Sequence, residues 1–467
     1  MTLYSLLIAI EWVFLLYFVC INTGYFSLNF IALWSIRRHM KQRSGEGLPF
    51  SYSEFMPPVS VLIPAYNEEK NIVQTVRSVL QLDYPELEII VINDGSTDNT
   101  LEVLRKQLKC EPLPEVYYDK IDTQAVRGFY RSQLVSKLRV LDKENGGKAD
   151  ALNAGINAAR YPLFCAMDGD SILEENSLQR LVEPFLEDPD TIACGGSVRL
   201  ANGSQIKDGF LEKIDLPLRI LPLFQIIEYL RAFLFGRMGW SPLNALLIIS
   251  GAFGLFDRLS VIEAGGYKTE TVAEDMELVI RLHRLYAEKK EKYKIKFVPD
   301  PICWTEGPED LNSLRTQRIR WHRGLCETMW MNLGLCFKRG SGLAGWLAYP
   351  FWFIFEMWGP VIEIGGYVFI GLGFWLGFVS PQIFLIFFIL AIGVGVLISV
   401  LALLLEEISF HIYPKISHSV LLFFAAVLEN FGYRQLNSYW RLVGLLKWLT
   451  GAGKGEWGTI KRKGFED

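Results

Sequence analysis

Two carboxylates one position apart, Asp168 and Asp170, close the short apolar run Phe164-Cys165-Ala166-Met167. Carboxylates that close repel one another unless a cation sits between them. Aspartate oxygens together with phosphate oxygens are the usual shell of Mg2+ or Mn2+. The same Asp-Gly-Asp triplet also suits a surface turn. Asn93-Asp94-Gly95 ends a second apolar run, where Asp94 could equally cap a helix or make an Asx turn. In Asn145-Gly146-Gly147-Lys148 the glycines allow close backbone approach, and Lys148 at a helix start suits an anionic group. The spacing does not fit a P-loop. Glu274-Asp275 opens a helical pattern, good capping chemistry and also a place where a carboxylate can act as a base. In Gln317-Arg318-Ile319-Arg320-Trp321, arginines can bind phosphate oxygens bidentately and an indole can stack on a sugar ring. The same composition suits a helix lying at a membrane interface.

These residues need elements to hold them. The β-rich runs at 59–63 and 87–92 flank an amphipathic helix at about 69–80. That is a βαβ unit, which makes a parallel sheet with a right-handed crossover. Asp94, Asp168 and Asp170 then fall at the C-terminal ends of strands, where open α/β sheets bind ligands. Residues 195–199 read as another strand, and 248–256 as a small, apolar strand or loop facing a ligand. Glu228, Arg231 and Arg237 interrupt the apolar stretch 220–250 at helical spacing, so it reads as a helix against the sheet or the membrane surface. Residues 105–135 read as an insertion without assigned function.

The chain has 467 residues, of which 51% are hydrophobic. The excess gathers before residue 36 and after residue 343, so a globular unit sits between membrane segments. Residues 3–35 are long enough for one tilted transmembrane helix and lack the features of a removable signal peptide. The basic run Arg37–Arg43 places that end in the cytoplasm and the N-terminus outside. The expected plan is a transmembrane helix over 1–36, a linker over 37–57, a globular domain over 58–340, membrane and interfacial helices over 341–440 and a basic cytosolic tail over 441–467. Within the fourth segment, 344–358 reads as interfacial, 361–379 and 383–405 as a hairpin, and 418–428 as a third apolar stretch. With domain and tail both cytoplasmic, the crossings between them should be even in number. Glu356, Glu363, Glu406 and Glu407 are costly in lipid and should face protein or a polar path, unless Glu406 and Glu407 sit in water at a helix end. The net charge of −4 argues against a general nucleic-acid binder. Seven scattered cysteines and five isolated histidines give neither a disulfide nor a zinc framework.

Taken in order, Pro64–Glu68, Asn93-Asp94-Gly95, Lys148 in Gly-Gly-Lys-Ala-Asp-Ala-Leu-Asn, Asp168-Gly169-Asp170, Glu274-Asp275 and Gln317-Arg318-Ile319-Arg320-Trp321 resemble the blocks of membrane-embedded family 2 glycosyltransferases of the processive synthase type. That group includes cellulose, hyaluronan and poly-β-1,6-N-acetylglucosamine synthases. The resemblance implies a GT-A fold, a Rossmann-like α/β sheet, set between an N-terminal transmembrane helix and a C-terminal helical membrane region. It implies that Tyr66, Glu68 and Asp94 bind uridine with help from Lys148. Asp168 would hold nucleotide or metal and Asp170 would ligate Mg2+ or Mn2+. Asp275, next to Glu274, would be the general base, and Gln317, Arg318 and Arg320 would hold the diphosphate. Trp321 would be the platform for the acceptor sugar. Ala273 and Asn93 depart from the family's common Thr and Asp. The partners implied are a UDP-sugar, a growing polysaccharide or lipid-linked acceptor, membrane lipids and an accessory export or regulatory subunit. Non-processive transfer of one sugar, and a nucleotide-binding membrane scaffold without catalysis, are the competing readings.

Overall fold

The computed structural model of the chain describes residues 3–45, 56–207, 209–377 and 379–452. Residues 46–55 of the expected linker, and the basic residues after 452, lie outside the described residues. In chain order the strands are β1 (Val59–Ala65), β2 (Leu87–Asp94), β3 (Cys110–Leu113), β4 (Val126–Ser132), β5 (Leu138–Lys143), β6 (Leu163–Met167), β7 (Ile172–Leu173), β8 (Thr191–Leu200), β9 (Gln205–Lys207), β10 (Phe210–Lys213), β11 (Phe253–Asp257) and β12 (Lys294–Thr305). Ten of them form one mixed sheet in the order β3-β4-β5-β2-β1-β6-β11-β8-β12-β7, and β9 and β10 form a separate hairpin.

The middle of the sheet follows from composition. β1, β2 and β6 are buried almost throughout, which is why they read as continuous apolar runs rather than alternating ones. β1 pairs in parallel with both β2 and β6, so the three strands end at one edge. β11 runs antiparallel between β6 and β8. Residues 105–135 are not a separate insertion. They include β3 and β4, which extend the sheet antiparallel from β5. Their half-exposed pattern is that of an outer strand pair, and this hides the periodicity. The cysteines are free thiols.

The first helix runs Leu3–Gly45 without a break at 36. The basic run is therefore its last turns rather than a linker, since Arg, Lys, Gln and Met are good helix formers and no glycine or proline intervenes. Its stretch Ala9–Lys41 and the later Phe384–Ser409 are long and apolar enough to cross a membrane. At 1.5 Å per residue the 26 residues of the latter rise about 39 Å, more than the roughly 30 Å hydrocarbon core. Two bent pairs, Ala344–Met357 with Gly359–Trp375 and Ile416–Leu428 with Tyr433–Thr450, raise the count to four if each is one span. The four glutamates expected to face protein or a polar path do meet protein. Glu356 pairs with Arg441 at 2.9 Å, Glu363 accepts from Ser438 at 2.5 Å, Glu406 accepts from the Ile412 N–H at 3.1 Å, and Glu407 meets Ser419 and His411. The expected tail boundary at 441 falls inside helix Tyr433–Thr450, which packs along helix Leu311–Met331. Gly444 makes that approach possible: a Cβ there would lie 2.8 Å from the Ile319 carbonyl oxygen. The N-terminal helix is tied to the same body by His39, 2.8 Å from Asp300 at β12.

Candidate active site

The loops after β1, β2, β5 and β6 converge at one edge of the sheet. Asn67 adopts a left-handed conformation (φ 57°), which an asparagine tolerates. Its side-chain oxygen accepts from the Thr97 N–H at 2.8 Å and so joins the first two loops. Asp94 is buried and its oxygens are engaged by the chain itself. Lys143 approaches Oδ1 at 2.6 Å, the Gly146 N–H donates to Oδ1 at 3.0 Å, and the Gly147 N–H donates to Oδ2 at 2.8 Å. Asp94 therefore shapes the glycine loop that leads into helix Lys148–Ala158. Gly95 (φ 63°) lies against that loop, and a Cβ there would come 2.7 Å from the Asn145 nitrogen.

Lys148 begins the helix and reaches a group of acids drawn from distant parts of the chain. Its ammonium lies 2.6 Å from Asp168 Oδ1 and 3.5 Å from Glu274 Oε1, and 3.4 Å from the Gly251 carbonyl oxygen. Burial alone would push this ammonium down, but Asp168, Glu274 and Asp275 outweigh it and hold it above its usual range. Burial pushes the Glu274 carboxyl up, against the pull of Lys148. Asp275 Oδ2 accepts from the Gly251 N–H at 2.9 Å, and Oδ1 from the Met276 N–H at 2.8 Å. Gly251 thus bridges the lysine and the acid, and a Cβ on it would lie 2.8 Å from the Lys148 nitrogen.

Asp170 is buried, 2% exposed. The Asp-Gly-Asp turn is held by Thr75, whose hydroxyl donates to the Gly169 carbonyl at 2.5 Å. Glu68 lies beside Gly169, and Tyr66 at the end of β1 is half-exposed. Among the described residues no group of three or more His, Cys, Asp or Glu side chains could hold a metal alone. Two carboxylates one position apart still fit Mg2+ or Mn2+, because such ions are commonly held by one or two carboxylates, with substrate phosphates and water completing the shell.

Gln317, Arg318, Arg320 and Trp321 share helix Leu311–Met331. Gln317 and Arg320 are partly exposed. Arg318, expected with Gln317 and Arg320 among the diphosphate-holding residues, is ion-paired within the protein. It is buried against Glu228 at 2.8 Å, and its guanidinium carbon lies 4.5 Å from the centre of the Trp321 ring. Trp321 is 40% exposed. The same helix steadies the acidic loop through Glu327, which accepts from the Thr271 hydroxyl and the Val272 N–H, both at 3.2 Å. Gly324 brings the two so close that a Cβ there would lie 2.6 Å from that of Ala273. Gly251 lies in the stretch 248–256 expected to face a ligand, whereas sequence reading assigned no site role to Glu228, Glu327 or Arg237, the last of which lies within electrostatic reach of Asp275. The charges at helical spacing in 220–240 are the available signal for two of them.

A mixed α/β sheet with paired acids at the ends of its central strands, flanked by long apolar helices, defines a GT-A-type membrane protein. The chain belongs to the glycosyl transferase family group 2, which matches residues 163–401, and residues 60–207 match glycosyl transferase family 2. It is 32% identical over 272 residues to a poly-beta-1,6-N-acetyl-D-glucosamine synthase of Staphylococcus epidermidis, covering 58% of this chain and 55% of that one. A synthase of the same name from Staphylococcus aureus is 33% identical over 273 residues, with the same coverage. The chain thus spans about half the length of these relatives. Among solved structures, the mannosyltransferase PcManGT from Pyrobaculum calidifontis, in complex with GDP-Man and Mn2+, shares the fold with a TM-score of 0.50 at 18% identity. That likeness covers 92% of this chain and 97% of that one.

Proposed function

We propose that this chain is an inverting, metal-dependent hexosyltransferase that uses a UDP-sugar, UDP-GlcNAc or UDP-Glc, to extend a β-linked polysaccharide and move it across a bacterial plasma membrane. The observation that carries this reading is the meeting of Lys148, Asp168, Glu274 and Asp275 around the Gly251 backbone. It brings Asp275, the expected base, together with Lys148 and Asp168, expected to meet phosphate and metal, which supports the reading. In this reading Tyr66 and Glu68 bind the nucleoside, and Asp94 shapes the loop that presents Lys148. Asp168 and Asp170 hold Mg2+ or Mn2+, which supplies charge neutralisation to the leaving diphosphate. Gln317 and Arg320 grip the diphosphate oxygens. Asp275 takes the proton of the acceptor hydroxyl on the opposite face, and its spare lone pairs are free to do so. Trp321 carries the acceptor ring. The names of the relatives favour N-acetylglucosamine as the sugar, and Arg37, Arg38 and Lys41 at the end of the first helix support a cytoplasmic catalytic domain.

The test is protein reconstituted in lipid, given labelled UDP-GlcNAc, UDP-Glc or UDP-GlcA separately with Mg2+ or Mn2+. A long polymer from UDP-GlcNAc, lost on chelation, is the expected result. A single-sugar product on added lipid would point to non-processive transfer. No metal-dependent turnover with any donor would sink the reading.

A further inference from the structure

We propose that Glu228 is a positioning residue for the acceptor sugar, acting on the Trp321 indole through Arg318. This rests on the glycosyltransferase reading, in which Trp321 is the acceptor platform. The Glu228 carboxylate is held from two elements. Oε2 accepts from Arg318 at 2.8 Å and from the Tyr433 hydroxyl at 3.0 Å, and Oε1 accepts from Asn437 at 3.1 Å. Arg318 is buried while Trp321, three residues on, is partly exposed, and the guanidinium lies 4.5 Å from the centre of the indole ring. A cation so placed is attracted to the ring face. It cannot swing away without leaving the Glu228 carboxylate and its own charge poorly compensated.

Two consequences follow for a sugar. The indole is fixed before the ligand arrives, so binding does not have to immobilise it. One ring face is covered by Arg318, which leaves only the other face for a pyranose. Tyr433 and Asn437 lie beyond the 163–401 match to the family. The last helix of the described chain thus reaches the acceptor platform by way of Glu228.

The test measures donor and acceptor KM separately in the full chain reconstituted in lipid, with UDP-GlcNAc as donor and a short β-linked N-acetylglucosamine oligosaccharide as acceptor. Glu228→Gln and Tyr433→Phe are expected to raise acceptor KM about 3–10-fold and shorten the product, with donor KM unchanged. Arg318→Lys keeps the charge but not the planar stack, and should show the same rise with little loss of thermal stability. Glu228→Gln alone leaves a buried cation, so the paired variant Glu228→Gln with Arg318→Gln keeps the measurement possible if the single variant does not fold. Acceptor and donor KM moving together, or neither moving, would overturn the inference. A wild-type chain inactive with every donor counts against the glycosyltransferase reading instead. In that case oligosaccharide binding by wild-type and Arg318→Lys protein decides the role of Arg318 directly: equal affinity refutes it.

Discussion

Asp275 is hydrogen-bonded at both oxygens without being exhausted. Each oxygen takes one backbone N–H, and a carboxylate has about four acceptor sites. The two bonds fix its direction while leaving room for an acceptor hydroxyl. Asp275→Asn keeps the volume and loses the basicity, and its single oxygen can accept from only one of the two N–H groups. It is expected to retain nucleotide-sugar binding and to lower turnover by about 10²–10⁴-fold, read by donor binding alongside release of UDP. Near-normal turnover would end the assignment of Asp275 as base. Gly251 offers a finer probe. An added methyl would lie 2.8 Å from the Lys148 nitrogen and 3.4 Å from Asp275 Oδ2. The lysine end is flexible and can yield, so Gly251→Ala should melt within a few degrees of wild type. Turnover should fall on the order of 10²-fold, because a small displacement of a catalytic group is enough for that. A variant with full activity would show that the lysine need not stay on Asp168 and Glu274.

At the scale of elements, helix Glu274–Lys289 carries Glu274 and Asp275 and is anchored by His283. Its Nε2 faces the Leu246 carbonyl at 2.8 Å, which can only accept, so that nitrogen carries the proton. Nδ1 then accepts from the Tyr293 hydroxyl at 2.8 Å. Burial pushes the imidazole down to about 4 from its ordinary 6.5. A histidine depressed in the fold stabilises it above pH 6.5, and that contribution is lost as pH falls from about 6.5 to about 4, where the unfolded chain binds the proton first. The loss amounts to roughly 3 kcal/mol, and His283→Gln should flatten this part of the melting-temperature profile. An unchanged acid slope would show that other groups govern it. The strands that hold Asp94 and Asp168 are legible in sequence because they are buried on both faces and stop at acidic turns. The acid pair at Glu274 is legible as a helix start. The partners of Arg318 are not: Glu228 is 90 residues away and itself lies 205 residues from Tyr433. Local pattern carries no register across such distances, so the ion pair of Arg318 with Glu228 could not be read from its own block. The outer strands β3 and β4 escape for a different reason, their mixed exposure leaving no period to read.

For the whole molecule, the globular unit is tied to helices from both ends of the described chain, by His39 on Asp300 and by helix Tyr433–Thr450 on helix Leu311–Met331. A chain cut after Gly432 should therefore lose polymer synthesis while its sheet still forms, measured as product length together with UDP-sugar binding. Unaltered polymer from the cut chain would show that the last helix is dispensable. The close seat of Gly444 against Ile319 also sets an order of events during synthesis. Residues 59–331 leave the ribosome long before residue 433 is made, and the apolar hairpin between them must first find its place. Only then can the last helix return to dock. If the proposed function holds, a nascent or wrongly inserted chain has Glu228 and Arg318 without Tyr433 and Asn437, and is expected to hold an acceptor poorly until assembly is complete.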